Sequence, residues 1–201
     1  MKQAQLLTLA PGTTFFYRDR EATVLEHTNG GVFVQMNDFA LGRFLFGKSN
    51  NWAASSLREY LNNEGAKMLT DGNLEELLDT VTDLTALDGG TEYGNCTDKV
   101  TLLTLDQCRK YRYIRPLPID GWEWTSTPDC TPSGWDKDAE LVVCLDADGN
   151  ISGSYCTDAY GARPAFTLPS NLTVQVAGDG GLTGYTDEEL LTELLKRRQT
   201  S

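Results

Sequence analysis

Between Gly12 and Met36 the chain is dense in β-forming residues and is broken by one strong turn, Asn29-Gly30-Gly31. The runs "TTFFYRD", "EATVLEHT" and "GVFVQM" therefore predict an antiparallel opening, with the Asn-Gly pair as a hairpin turn. "NDFALGRFLFGKSNN" mixes aromatic, glycine and polar residues and predicts a loop with partly buried anchors. The period then lengthens. Leu57, Tyr60 and Leu61 recur at helical spacing behind Ser55 and Ser56, either of which can cap a helix, and Glu59 falls in the first turn. "NWAASSLREYLNNEGAKML" is thus a predicted helix. "DGNLEELLDTVTDLT" predicts a second, more acidic one, with Leu74, Leu77, Leu78 and Val81 on one face.

Beyond a loop at "ALDGGTEYGNCT", Val100 to Leu103 predict a short apolar strand, and Thr104 or Asp106 caps a brief helix. Residues 116–140 are rich in Pro, Gly, Trp and Asp and predict a long loop with one short strand at "WEWTST". "LVVCLDADGNISGSYC" has the form of a hairpin, and "GARPAFTL" of a last core strand. After "GDGG" the tail "YTDEELLTELLKRRQTS" predicts a separate amphipathic helix. Thr186 and Glu189 match a capping box, and Leu190, Leu191, Leu194 and Leu195 form an apolar stripe. That stripe docks on the chain's own core or drives homo-oligomerisation, since so short a helix is marginal alone. The expected division is a single domain over residues 1–182 and the C-terminal helix over 183–201.

A hydrophobic content of 40% in 201 residues, with 23% charged residues, suits one packed core. The net charge of -12 repels phosphate backbones, so no nucleic-acid partner is expected. No apolar run approaches the roughly 20 residues of a membrane helix, and the first residues lack a signal-peptide core, so the expected location is cytoplasmic or virion-associated, with no membrane partner. Five cysteines, none in a CxxC pair, beside the single His27 predict reduced, buried thiols and no zinc site.

Chemistry is sparse. There is no GxSxG, P-loop, GxGxxG or HExxH, so no catalytic residue and no cofactor are assigned, and the chain is expected not to be an enzyme. With 29 acidic residues a carboxylate pair can be drawn almost anywhere, which keeps a small carboxylate-dependent enzyme as an alternative without specifying it. "DADGN" (146–150) has oxygen ligands at alternate positions, but the twelfth position is Thr157 and not the glutamate of a calcium loop. A hairpin turn is the stronger reading there, and no metal is assigned. Large rings beside short polar side chains are the usual make-up of a recognition surface. Trp135, Asp136 and Asp138, with Tyr155, Asp158 and Tyr160, are the candidate ligand-binding residues, the exposed rings being expected on one face. Trp122 and Trp124, at strand alternation, are expected in the core.

Five stretches in order carry a resemblance. "NNWAASSLREYLNN", "TDKVTLLTLDQCRKY", "WEWTSTP", "LVVCLDADGNIS" and "YGARPAFTL" resemble successive segments of the bacterial and phage family carrying the DUF6273 domain, over roughly Gly12 to Leu168. The resemblance implies an α+β, C-type-lectin-like fold: a twisted antiparallel sheet flanked by helices, with long loops that carry the site. It implies a non-enzymatic ligand-binding or display module, phage- or mobile-element-encoded and typical of gut Firmicutes, recognising a protein or glycan through its C-terminal loop surface. A structural virion or assembly protein without a small ligand is the other reading. Thr125 and Ser126 stand where the family carries an arginine, and no thiol flanks Arg163, where the enzyme branch of the fold has its cysteine pair. Trp52, Arg58, Trp122, Trp124 and Arg163 are expected to be structural. Arg163 lies between Gly161, which permits a turn, and Pro164, which biases it towards extended backbone. It is expected to pin the last strand to a neighbouring carboxylate or to loop carbonyls.

Overall fold

A computed structural model describes residues 2–39, 41–116, 121–134 and 139–177. The chain is mixed α+β, mostly sheet with few helices. The strands are β1 (Gln3–Gln5), β2 (Thr14–Tyr17), β3 (Arg20–His27), β4 (Val32–Met36), β5 (Arg43–Leu45), β6 (Thr80–Asp83), β7 (Asn95–Asp98), β8 (Glu123–Pro128), β9 (Leu141–Leu145), β10 (Ile151–Tyr155), β11 (Ala159–Gly161), β12 (Ala165–Leu168) and β13 (Thr173–Val176). Among the described residues three short α-helices, α1 (Ser56–Tyr60), α2 (Ala66–Thr70) and α3 (Leu105–Lys110), lie between them.

The first sheet runs β1-β13-β2-β3-β4-β12 and the second β10-β9-β8-β11-β5, with β6-β7 as a separate ribbon. The β3–β4 hairpin closes over Thr28 to Gly31, where Thr28 and Gly31 exchange hydrogen bonds. Gly31 is required there: a Cβ on it would stand 2.3 Å from the Leu168 carbonyl oxygen of β12. Alternation along β4 sends Val32, Val34 and Met36 into the main core and Phe33 into a second cluster with Leu25, Leu103, Cys108 and Tyr111 beside α3. The main core joins the sheets, with Phe46 between Trp52 and Trp124 at 5.7 Å from each ring.

Ser55 caps α1 by accepting from the Arg58 backbone N–H, and Leu57 and Leu61 bury the predicted stripe. The run does not continue as a plain α-helix. Leu61–Gly65 is a π-helical turn leading into α2. The amides of Asn62 and Asn63 donate to the carbonyls of Arg58 and Glu59 one turn back, taking acceptors from the regular ladder. Asp71 then adopts left-handed backbone (φ 52°) and ends the helix.

The second predicted helix does not form. Leu74–Glu76 makes one 3-10 turn, and Thr80–Asp83 is strand β6, paired with β7 from within the predicted loop. Thr80 and Thr82 are buried while Val81 is 63% exposed, the reverse of the predicted apolar face. A partner strand from residues 95–98 overrides local helix propensity, and the buried threonines bond to Thr167 (2.8 Å) and Thr101 (2.9 Å). The predicted strand at Val100 to Leu103 reduces to one bridge, Thr101 to Ala165. Thr104 caps α3 in a full capping box with Gln107. The predicted strand at "WEWTST" and the hairpin of β9 and β10 are present. Among the described residues no helix is long and apolar enough to cross a membrane. The predicted C-terminal helix at 183–201 lies outside the described residues.

Candidate functional site

The first and second sheets meet where β11 passes into β12, and Arg163 stands in that crossover. It is 1% exposed. Its Nε and Nη2 donate to the Glu123 carboxylate on β8, and its Nη1 donates to the carbonyls of Pro116 (2.8 Å) and Asn37 (3.4 Å). One guanidinium thus ties the second sheet, the end of β4 and the chain leaving α3. Arg115 donates from Nη2 to Glu123 Oε1, which also accepts from Arg163 Nη2, and from Nη1 to Cys108 Sγ at 2.9 Å. All three side chains of this triad are at most 3% exposed. Burial, followed by the Arg115 charge, holds the Arg163 guanidinium below its ordinary value against the pull of Glu123. At Arg115 burial acts the same way but is outweighed by Glu123, so its value rises. Both stay protonated, because arginine does so throughout the accessible pH range.

A second buried node joins two of the resembling stretches. Asp98 on β7 accepts from Trp52 Nε1 (3.0 Å) and Arg58 Nε (2.7 Å). Asn62 accepts from the backbone of Lys99 and Val100 and donates back to the Val100 carbonyl. Asn50 donates to the carbonyls of Cys130 and Leu141 and accepts from Tyr93. Most polar side chains here are spent on backbone groups and on one another.

The open surface lies on the β9–β10 hairpin. Its turn is closed by Asp146, whose carboxylate accepts from the backbone of Asp148 and Asn150 and from the Asn150 amide. The Asn150 side chain, then its backbone, holds the Asp146 carboxyl below the usual range. These oxygens serve the turn. Strand β10 is the edge of the second sheet, with Ile151 47% and Tyr155 58% exposed while the neighbouring β9 is mostly buried.

Strand alternation parts the predicted recognition residues. The register pairs Ile151 with Leu145 and Leu145 with Glu123, and pairs Ser152 with Cys144 and Cys144 with Trp124. Ile151, Gly153 and Tyr155 therefore share the Glu123 face, and Ser152 and Ser154 the Trp124 face. Tyr160 belongs to the Trp124 face, since it packs on Trp124 (4.6 Å) and Trp122 (5.9 Å) and its hydroxyl meets Ser154 Oγ at 2.7 Å. Ser154 also donates to Asp158 at 3.0 Å. Asp158 and Tyr160 are half-buried and brace the β10–β11 connection, so Tyr155 and Tyr160 do not form one exposed face as the sequence suggested. Trp124 is buried and Trp122 half-buried against Tyr160. Trp135, Asp136 and Asp138 lie outside the described residues.

Glu123, Arg115 and Asp98 were not singled out from sequence as members of these nodes. A signal existed for Glu123: a carboxylate alternating with two tryptophans in a strand faces away from them, into a second packed layer. His27, at the end of β3, contacts the Leu9 carbonyl through Nε2 at 2.8 Å. Among the described residues no group of three or more His, Cys, Asp or Glu is gathered as a metal would require. No family model matches the chain, and no curated protein or solved structure is significantly similar to it.

All five cysteines are buried and unbridged. Burial pushes the Cys108 and Cys144 thiols up to about 12, at Cys108 against the opposing charge of Arg115. The native protein at about pH 8 is therefore expected to react slowly with Ellman's reagent, and all five thiols to react at once in guanidinium. Fast reaction of the folded chain would contradict the burial. The sign of the linkage is set too: raised thiols contribute stability below their ordinary value of 9.0, and that contribution is lost as pH rises towards 12.

Proposed function

We propose that this chain is a non-enzymatic ligand-binding or display module with a C-type-lectin-like fold, phage- or mobile-element-encoded, that recognises a protein or glycan partner through its C-terminal surface. The observation that carries the reading is strand β10. Edge strands are usually guarded by lysine, proline or short length. β10 is five residues long, carries no charge and no proline, and exposes Ile151 and Tyr155. An unguarded, partly apolar edge beside polar loops supports the docking of a partner, by added strand pairing for a protein or by ring stacking for a glycan.

The test is an array of glycans and bacterial surface proteins probed with the intact protein. A retained partner is expected to lose roughly tenfold or more in affinity with Tyr155→Ala, as for an exposed aromatic anchor at an interface. A partner that binds wild type and Tyr155→Ala equally would remove β10 from the reading.

A further inference from the structure

A cavity of about 170 Å³ lies between α3 and the turn of the β9–β10 hairpin. Its lining is divided. Among the described residues, Leu105, Leu145 and Ile151 supply an apolar wall, and Arg109, Arg112 and Arg115 supply three guanidiniums against one lining carboxylate, Asp148. That local excess of positive charge stands out in a chain of net charge -12. The cavity of about 400 Å³ that also touches α3 has the opposite balance, with Asp83 and Asp106 against Arg109 alone.

Among the described residues the cations of the smaller cavity are not neutralised from within. Arg109 is paired with Asp106 at the surface. Arg112 has no ion-pair partner among the described residues, its guanidinium lying 5.9 Å from the Tyr113 ring. Arg115 shares Glu123 with Arg163, so two buried guanidiniums face one carboxylate, and the Cys108 thiol beside them stays neutral. The Arg115 Nε is buried with no hydrogen-bond partner among the described residues. A buried cation with incomplete pairing is costly, and a neighbouring anion relieves it. The volume is close to that of a cavity that holds one benzene ring, about 150 Å³. An inorganic anion would leave the leucine and isoleucine wall without a partner.

We infer that this cavity binds a small organic monocarboxylate, a single carboxylate on an aromatic or short aliphatic body. Arg112 and Arg109 are its direct partners, in the fork geometry that suits a carboxylate, and Arg115 supplies charge beneath them. The body packs on Leu105, Leu145 and Ile151. The site shares Ile151 with the exposed edge of β10, but Tyr155 is not in its lining, so benzoate affinity unchanged in Tyr155→Ala separates it from a partner docked on that edge.

The test is calorimetric titration of the full chain at low ionic strength with benzoate, benzamide, sulfate and N-acetylphenylalanine, with Ile151 methyl shifts read by NMR. Benzoate is expected to bind saturably and to shift Ile151, and neutral benzamide to show no saturation. Arg112→Ala, at an exposed position that leaves the core intact, is expected to weaken benzoate roughly tenfold or more, the usual loss for a charged hydrogen bond. Sulfate binding as tightly as benzoate would overturn the apolar half of the site. Tighter binding of N-acetylphenylalanine, whose body would extend out of the half-open cavity, would overturn a free small acid in favour of a peptide terminus. Benzoate affinity unchanged in Arg112→Ala, or no benzoate binding at all, would overturn the assignment.

Discussion

Glu123→Ala is expected to lower the unfolding free energy by about 3–5 kcal/mol, the range for breaking a buried ion pair by removing one partner. The substitution takes the only carboxylate that Arg115 and Arg163 share among the described residues, and leaves two guanidiniums, each at most 3% exposed, facing one another. Neither can shed its proton, so the charge remains. A domain of this kind holds about 5–15 kcal/mol in total, so the loss removes a large share of it. The junction of the two sheets should loosen first, because Arg163 also holds the carbonyls of Pro116 and Asn37. The control separates charge from packing. Replacing Arg115, Glu123 and Arg163 together by apolar residues of similar volume is expected to be far less damaging than Glu123→Ala, since no charge is then stranded. Urea unfolding with a common slope reads both variants. A wild-type midpoint for Glu123→Ala would show that the triad does not hold the junction.

Asp98→Ala is expected to destabilise by about 3 kcal/mol. Two terms contribute: a buried indole N–H left without an acceptor, roughly 1–3 kcal/mol, and a charge-assisted bond to Arg58, roughly 1.5–3 kcal/mol, reduced because the Arg58 side chain is 30% exposed. In a chain of this length about 3 kcal/mol corresponds to a melting temperature lower by roughly 6–12 °C. Asp98→Asn keeps one acceptor and should fall between wild type and Asp98→Ala. A melting temperature within about a degree of wild type for Asp98→Ala would refute the node, because a loss that small corresponds to a few tenths of a kcal/mol.

Both predictions concern residues whose importance is spatial. Trp52 and Arg58 sit in a short stretch with a recognisable cap and stripe, and their helix is legible from Ser55, Leu57 and Leu61 alone. Their acceptor, Asp98, is 46 and 40 residues away, just past the predicted loop and ahead of the short strand expected at Val100. Arg163 could be expected to pin a strand, since Gly161 and Pro164 shape its backbone, but Glu123 as its partner is 40 residues distant and Arg115 lies beyond that. For the candidate surface, the hairpin of β9 and β10 followed from its turn, and Tyr155 from a large ring among short polar side chains, while the edge position of β10 came only from the strand order. That Tyr155 and Tyr160 point to opposite faces needed the register with β9 and β8.

The sequence by itself determined the features that depend on neighbours within about four residues. These are the Asn-Gly hairpin, the helix caps narrowed to Ser55 or Ser56 and to Thr104 or Asp106, and the Asp146 turn, all set by backbone preference and local hydrogen bonding. Tertiary structure alone decided the segment Thr80–Asp83, whose helical pattern yielded to a distant partner strand. It likewise decided the Arg115–Glu123–Arg163 triad and the cationic cavity beside it. A buried charge must find its counter-charge wherever the chain brings one, and an unpaired strand edge must find another strand. Neither requirement leaves a mark in the residues next to it.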